Sequence, residues 1–191
     1  MEINIQYLES AKKQFLYYKT LGEKAIDQLE AKQLFFAVNE DTNSIAMIVK
    51  HLSGNILSRW TDFLTTDGEI EWRNRDSEFE NDLQSKEEVL ALWNKGWECL
   101  FIALDGLQPE QLSQIIYIRN EGHSVTEAIN RQLAHYPYHV GQIVFYAKQL
   151  KNSDWESLSI PKKKSNSYNA DKFSQEKSIK NFTDEELKRL K

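Results

Sequence analysis

The chain has 191 residues with a formal net charge of −5, 40% hydrophobic and 12% aromatic residues, five of them Trp. This is the length of one domain with enough apolar side chain to fill a core, so no disulfide or structural metal is required for folding. The acidic balance argues against a general nucleic-acid binder, and no apolar run approaches the ~18 residues of a membrane span.

Four long segments carry helical periodicity. The first covers about 3–30, with Tyr7, Phe15, Tyr18, Leu21 and Ile26 on its apolar positions. The second covers about 44–64, preceded by the cap candidates Thr42, Asn43 and Ser44 and closed by Thr65-Thr66-Asp67-Gly68. A third spans about 86–104, with Ser85 and Glu88 in capping-box spacing, and a fourth about 124–150, with Ser124 and Glu127 in the same arrangement. The expected fold is all-α, a four-helix bundle over 1–151 followed by a polar, Lys/Ser-rich C-terminal tail over 152–191.

Two inter-helix loops are longer than an up-down bundle needs. Residues 67–84 contain Trp72, Arg73 and Arg75, which either form a flap over a site or tie the loop to the bundle; residues 107–123 contain Ile115 to Ile118, a possible short strand, and His123, read as a loop residue. In the tail, Lys162, Lys163 and Lys164 read as solvated, the alternative being a nucleic-acid or membrane contact, and Phe182 to Leu187 looks like the start of a short helix. Cys99, the one cysteine, reads as a small buried hydrophobe and fits a reducing compartment; the N-terminus lacks the apolar stretch of a signal peptide, so a cytoplasmic location is expected.

The chemistry centres on three histidines. His135 and His139 lie four apart on the last long helix and so share one face, while His51 lies mid-helix in the second, where no cap calls for it. In a bundle these helices can bring the three imidazoles to one point, the arrangement of an open Zn²⁺ site that also suits Ni²⁺, Co²⁺ or Fe²⁺; the bland alternative is ordinary hydrogen-bonded histidines. No carboxylate stands three or four residues from His135 or His139, so the site is expected to keep much of its positive charge. Asn55 and Arg59 continue the His51 face and Arg131 precedes His135 by one turn. They can orient an acidic small-molecule substrate, or each arginine can serve a structural ion pair. Pro137, between the two helix histidines, removes a ladder hydrogen bond at a cost of ~3 kcal/mol, so the helix either kinks there or breaks and separates the rings.

The stretches Ile48-Val49-Lys50-His51-Leu52-Ser53-Gly54-Asn55 and Arg131-Gln132-Leu133-Ala134-His135-Tyr136-Pro137-Tyr138-His139-Val140-Gly141-Gln142-Ile143 resemble the DinB/YfiT-like superfamily of four-helix bundles. The resemblance covers roughly residues 1–150 and is closest to a branch of uncharacterised function. It implies that His51, His135 and His139 are ligands of one divalent metal, Zn²⁺ or Ni²⁺, that the protein is a homodimer, and that a low-molecular-weight thiol is activated at the metal for S-transfer. A metal-dependent hydrolase and a non-catalytic stress or interaction protein with vestigial histidines are the competing readings.

Overall fold

The computed structural model describes residues 1–190. The elements in chain order are α1 (Glu2–Asp27), α2 (Ala31–Leu34), α3 (Ile45–Trp60), a 3-10 turn (Asp76–Phe79), α4 (Lys86–Gly106), a second 3-10 turn (Pro109–Ser113), β1 (Ile115–Ile118), β2 (Glu121–Ser124), α5 (Val125–Lys151), a third 3-10 turn (Asn152–Asp154), α6 (Ser165–Phe173) and α7 (Phe182–Arg189). The chain is mostly helical, with one small two-stranded antiparallel sheet. None of its helices is long and apolar enough to cross a membrane among the described residues.

Each of the three inner helices starts where a serine can take up a free backbone donor. Ser44, Ser85 and Ser124 accept hydrogen bonds from the N–H groups of Met47, Glu88 and Glu127 at 3.2, 3.2 and 3.1 Å. The acidic halves of the two expected capping boxes go elsewhere: Glu88 accepts from the Gln84 N–H, and Glu127 turns to His123.

The long helices pack as neighbours in the order α4, α3, α5, α1, with α1 also touching α4. Their shared interior is aromatic. Phe15 of α1, Trp93 and Trp97 of α4 and Tyr136 of α5 are all buried, with ring centroids 5.5 to 6.4 Å apart along the chain of contacts. Truncating one such ring costs about 3–5 kcal/mol. The helices come this close because Gly22 has no side chain: a Cβ there would stand 2.5 Å from Trp93 Cη2. The Trp60 indole N–H donates to the Tyr136 hydroxyl at 3.0 Å, locking α3 to α5 at a buried polar point.

The hairpin has register Ile118↔Glu121, which leaves Arg119 and Asn120 as a two-residue turn with φ of 55° and 62°, the primed-turn conformation that hairpins favour. Neither is glycine, so the left-handed backbone needs outside support. Asp67 supplies it, accepting both turn N–H groups at 2.8 Å and thereby joining the first long loop to the second. His123, expected in a loop, lies in β2 opposite Ile116, 3.4 Å from Glu127.

The segment from residue 152 has more structure than its polar composition predicts. Helix α7 lies along α1, with Lys13 paired to Asp184 at 2.9 Å, the Tyr17 and Phe182 rings 6.2 Å apart, and Thr183 and Leu190 buried.

Candidate metal centre

Helices α3 and α5 present the histidines to each other. His51 is buried, and His135 and His139 are half-buried. Their rings are 4.8 to 5.7 Å apart between centroids, and one ligand nitrogen from each lies within 4.8 Å of the others. Helix α5 runs unbroken through Pro137, which resolves the choice between a break and a continuous helix. Tyr136 and Val140, both fully buried on either side of the proline, supply packing that offsets the missing ladder bond.

The hydrogen bonds around the imidazoles decide what the cluster can do. His51 Nδ1 lies 2.9 Å from Glu78, a buried carboxylate that can only accept, so this nitrogen carries the proton. His139 Nδ1 donates to the Gln142 amide oxygen at 2.8 Å, and His135 Nδ1 faces the Gln132 oxygen at 3.3 Å. All three rings are thereby held in the tautomer whose Nε2 bears a lone pair.

The consequence is visible between His135 and His139, whose Nε2 atoms face each other at 3.1 Å. Two lone pairs at that distance repel unless a cation lies between them. Zn–N bonds of ~2.0–2.1 Å in tetrahedral array separate neighbouring nitrogens by ~3.3–3.4 Å, close to the spacing seen. The residues therefore fit a divalent metal by donor type and tautomer, and the His135–His139 pair also by spacing, with the ligand nitrogens of all three within 4.8 Å of one another.

The expectation of a carboxylate-poor site is corrected by Glu78. It comes from the 3-10 turn in the first long loop, 27 residues from His51, where helical spacing could not reveal it. Burial works to raise its pKa, but hydrogen bonds from His51 and Arg73 outweigh that and hold it below the usual carboxylate range. Arg73 grips it in bidentate fashion, Nε to Oε1 at 2.7 Å and Nη2 to Oε2 at 3.0 Å. Gly54 permits this approach, since a Cβ there would stand 2.2 Å from Glu78 Oε1. Lys50 pins the same turn by donating to the carbonyls of Ser77 and Glu80 and pairing with Asp82. The loop thus carries Arg73 inward, while Trp72 is exposed and ties nothing down.

Burial of the rings pushes the His135 pKa down to about 4, with His139, His51, Arg59 and Arg131 adding to the effect, and lowers that of His139 for the same main reason. Both imidazoles are neutral near pH 7, the state a metal needs.

Beside the cluster is a cavity of about 250 Å³ that brings Asn55, Arg59 and Arg131 together with His51 and His135. Arg59 is buried and paired with Glu69 at 3.0 Å, the structural ion pair that was one of its two expected roles. Arg131 makes no ion pair among the described residues, and Asn55 is buried with its side-chain oxygen unpartnered. A larger apolar groove of about 640 Å³ between α3 and α4 is lined in part by Cys99, whose thiol is pushed up in pKa by burial, so it is no ready nucleophile.

Residues 2–164 match the family described as Protein of unknown function (DUF1572). The chain belongs to the DUF1572 family. That family lies in the DinB-like clan, in keeping with the likeness noted from the histidine motifs. No curated protein and no solved structure matches this DUF1572 chain.

Proposed function

We propose that this DUF1572 protein is a metal-dependent enzyme built as a four-helix bundle of the DinB/YfiT-like type, holding one divalent cation, Zn²⁺ or Ni²⁺, on His51, His135 and His139. The observation that carries the reading is the set of three Nδ1 positions, each turned to an acceptor on Glu78, Gln132 or Gln142, which leaves three Nε2 lone pairs directed inward. Ordinary buried histidines have no need of three such outer partners around one point.

A divalent cation bound there supplies Lewis acidity that lowers the pKa of a thiol or water. The chain's own residues set the conditions for that chemistry. Imidazole ligands add no charge of their own to a bound cation, and the Glu78 carboxylate, backed by Arg73, makes His51 a more basic donor. The neighbouring cavity gives a small-molecule substrate access to the cluster, and its positive lining favours an anionic form such as a thiolate. Transfer of a low-molecular-weight thiol is the reaction this environment suits best.

The first test is elemental analysis of untagged protein beside His51→Ala and His139→Ala. Near-stoichiometric metal in the wild type, lost in both variants that keep their helical circular dichroism, is the expected result. A folded wild type that takes up no Zn²⁺ or Ni²⁺ on reconstitution overturns the reading. For the thiol, cobalt-substituted protein should gain a sulfur-to-cobalt charge-transfer band with cellular thiols; no band with any of them removes S-transfer.

A further inference from the structure

We propose that the arginine-lined cavity beside the histidines is an oxyanion subsite, taking the carboxylate or phosphoryl group of a small acidic substrate through Arg75, Arg131 and Asn55. Its role in a reaction rests on the metal reading above; its affinity for anions does not.

Five guanidinium groups line this cavity: Arg59 on α3, Arg73 and Arg75 on the first long loop, Arg119 at the hairpin tip and Arg131 on α5. Three of them are spoken for. Arg59, Arg73 and Arg119 all converge on one carboxylate, Glu69, at 3.0, 3.4 and 3.1 Å, and Arg73 also holds Glu78. Arg75 and Arg131 have neither an ion pair nor a side-chain hydrogen bond among the described residues. They approach from different segments, at the exposed rim of the cavity.

Arg75 is nevertheless not a loose surface side chain. Its guanidinium lies over the Phe79 ring, 5.1 Å from the centroid, and Phe79 in turn stacks on His51 at 5.3 Å. This arrangement orders the group without neutralising it and leaves its N–H edge for a ligand.

Asn55 supplies the inner contact. It is 7% exposed, its side-chain oxygen has no hydrogen-bond partner among the described residues, and it lines the same cavity one turn after His51. The unpartnered Oδ1 is an acceptor, which a ligand hydroxyl such as the P–OH of a phosphate monoanion would satisfy, while the Nδ2 group of the same amide can donate to an anionic oxygen. Two free cations and one buried amide around a space below the roughly 300–1,000 Å³ of a drug-sized site fit the charged end of a small molecule. The planar, forked donors suit a carboxylate or a phosphoryl group equally.

The test titrates untagged, metal-free protein with inorganic phosphate and, separately, with acetate by isothermal calorimetry. Saturable binding of at least one anion is expected, weakened ~10-fold or more in Arg75→Ala and in Arg131→Ala, as for loss of a charge-assisted hydrogen bond. Lys148→Ala, an exposed cation farther along α5, should leave it unchanged. Tighter phosphate assigns a phosphorylated substrate, tighter acetate a carboxylic acid. No saturable binding of either anion, or equal affinity in the double variant Arg75→Ala/Arg131→Ala, overturns the proposal. Zn²⁺ or Ni²⁺ uptake, measured after reconstituting an aliquot of the same protein, separates the two readings: metal uptake without anion binding removes the subsite alone, and anion binding without metal uptake removes the metal centre alone.

Discussion

Replacing Gly54 with alanine tests the link between the loop carboxylate and the histidines without touching either. The new methyl would stand 2.2 Å from Glu78 Oε1 and 2.9 Å from its Cδ, too close for any real contact. Glu78 is held by His51 and by two bonds from Arg73, whose side chain is only 2% exposed, so it cannot swing aside without breaking charged hydrogen bonds. Such bonds are worth about 1.5–3 kcal/mol each, whereas the exchange of glycine for alanine inside a helix gains about 1 kcal/mol. The expected balance is a net loss of ~2 kcal/mol in urea unfolding, with metal affinity down ~10–100-fold as His51 loses its outer partner. A chromophoric chelator in competition with the protein measures the second quantity. A Gly54→Ala protein that is more stable than wild type and binds metal equally well would refute the placement of Glu78 on His51.

Three further outcomes follow from the same geometry. Because burial lowers the His135 pKa to about 4 from 6.5, the unfolded chain binds more protons than the folded one between those values, and stability falls as pH drops through that window. Allowing for the ring's partial exposure, the metal-free protein should lose about 1–2 kcal/mol in urea unfolding between neutral pH and ~pH 4.5, and a flat profile down to ~pH 5 would contradict the neutral imidazole. Lys50→Ala should speed amide exchange over residues 76–82, since three acceptors in that turn lose their donor, while reducing metal affinity less than Glu78→Gln does. Asp67→Ala removes the acceptor for both left-handed turn residues and should cost about 1–3 kcal/mol in thermal or urea unfolding; an unchanged midpoint would show the hairpin to be self-supporting.

The local features of the chain are those the sequence discloses. Serine caps and apolar spacing place the inner helices to within a few residues, and the spacing of His135 and His139 puts them on one face, because helix geometry is a short-range property. Gln132 and Gln142 stand three residues from their histidines and were visible by the same rule, but a search for charged neighbours passes over an amide that accepts equally well. Glu78 belongs to another class, as do Arg73 and Arg75, which the sequence presents as candidates for a flap without giving a position and which prove to line the cavity. Their position depends on how an irregular loop folds back over α3, and periodicity carries no information about that. The helix beginning at Phe182 is legible, but its packing on α1 is not, because a helix that buries so few residues, such as Thr183, gives no apolar face to read.

The Asp67 carboxylate that supports the Arg119–Asn120 turn separates two kinds of evolutionary change. Histidines sit on helices whose register is set by an aromatic interior, whereas the cavity's rim is contributed largely by two connections clamped to each other through Asp67, the Glu69–Arg119 pair and the Gly68–Tyr117 backbone bond. Lineages can exchange those connections for others of different length or charge and leave the reactive centre in place. Selectivity can then drift among substrates faster than the fold or the ligand set changes, and a designer seeking a new specificity would graft loops here and leave the helices alone.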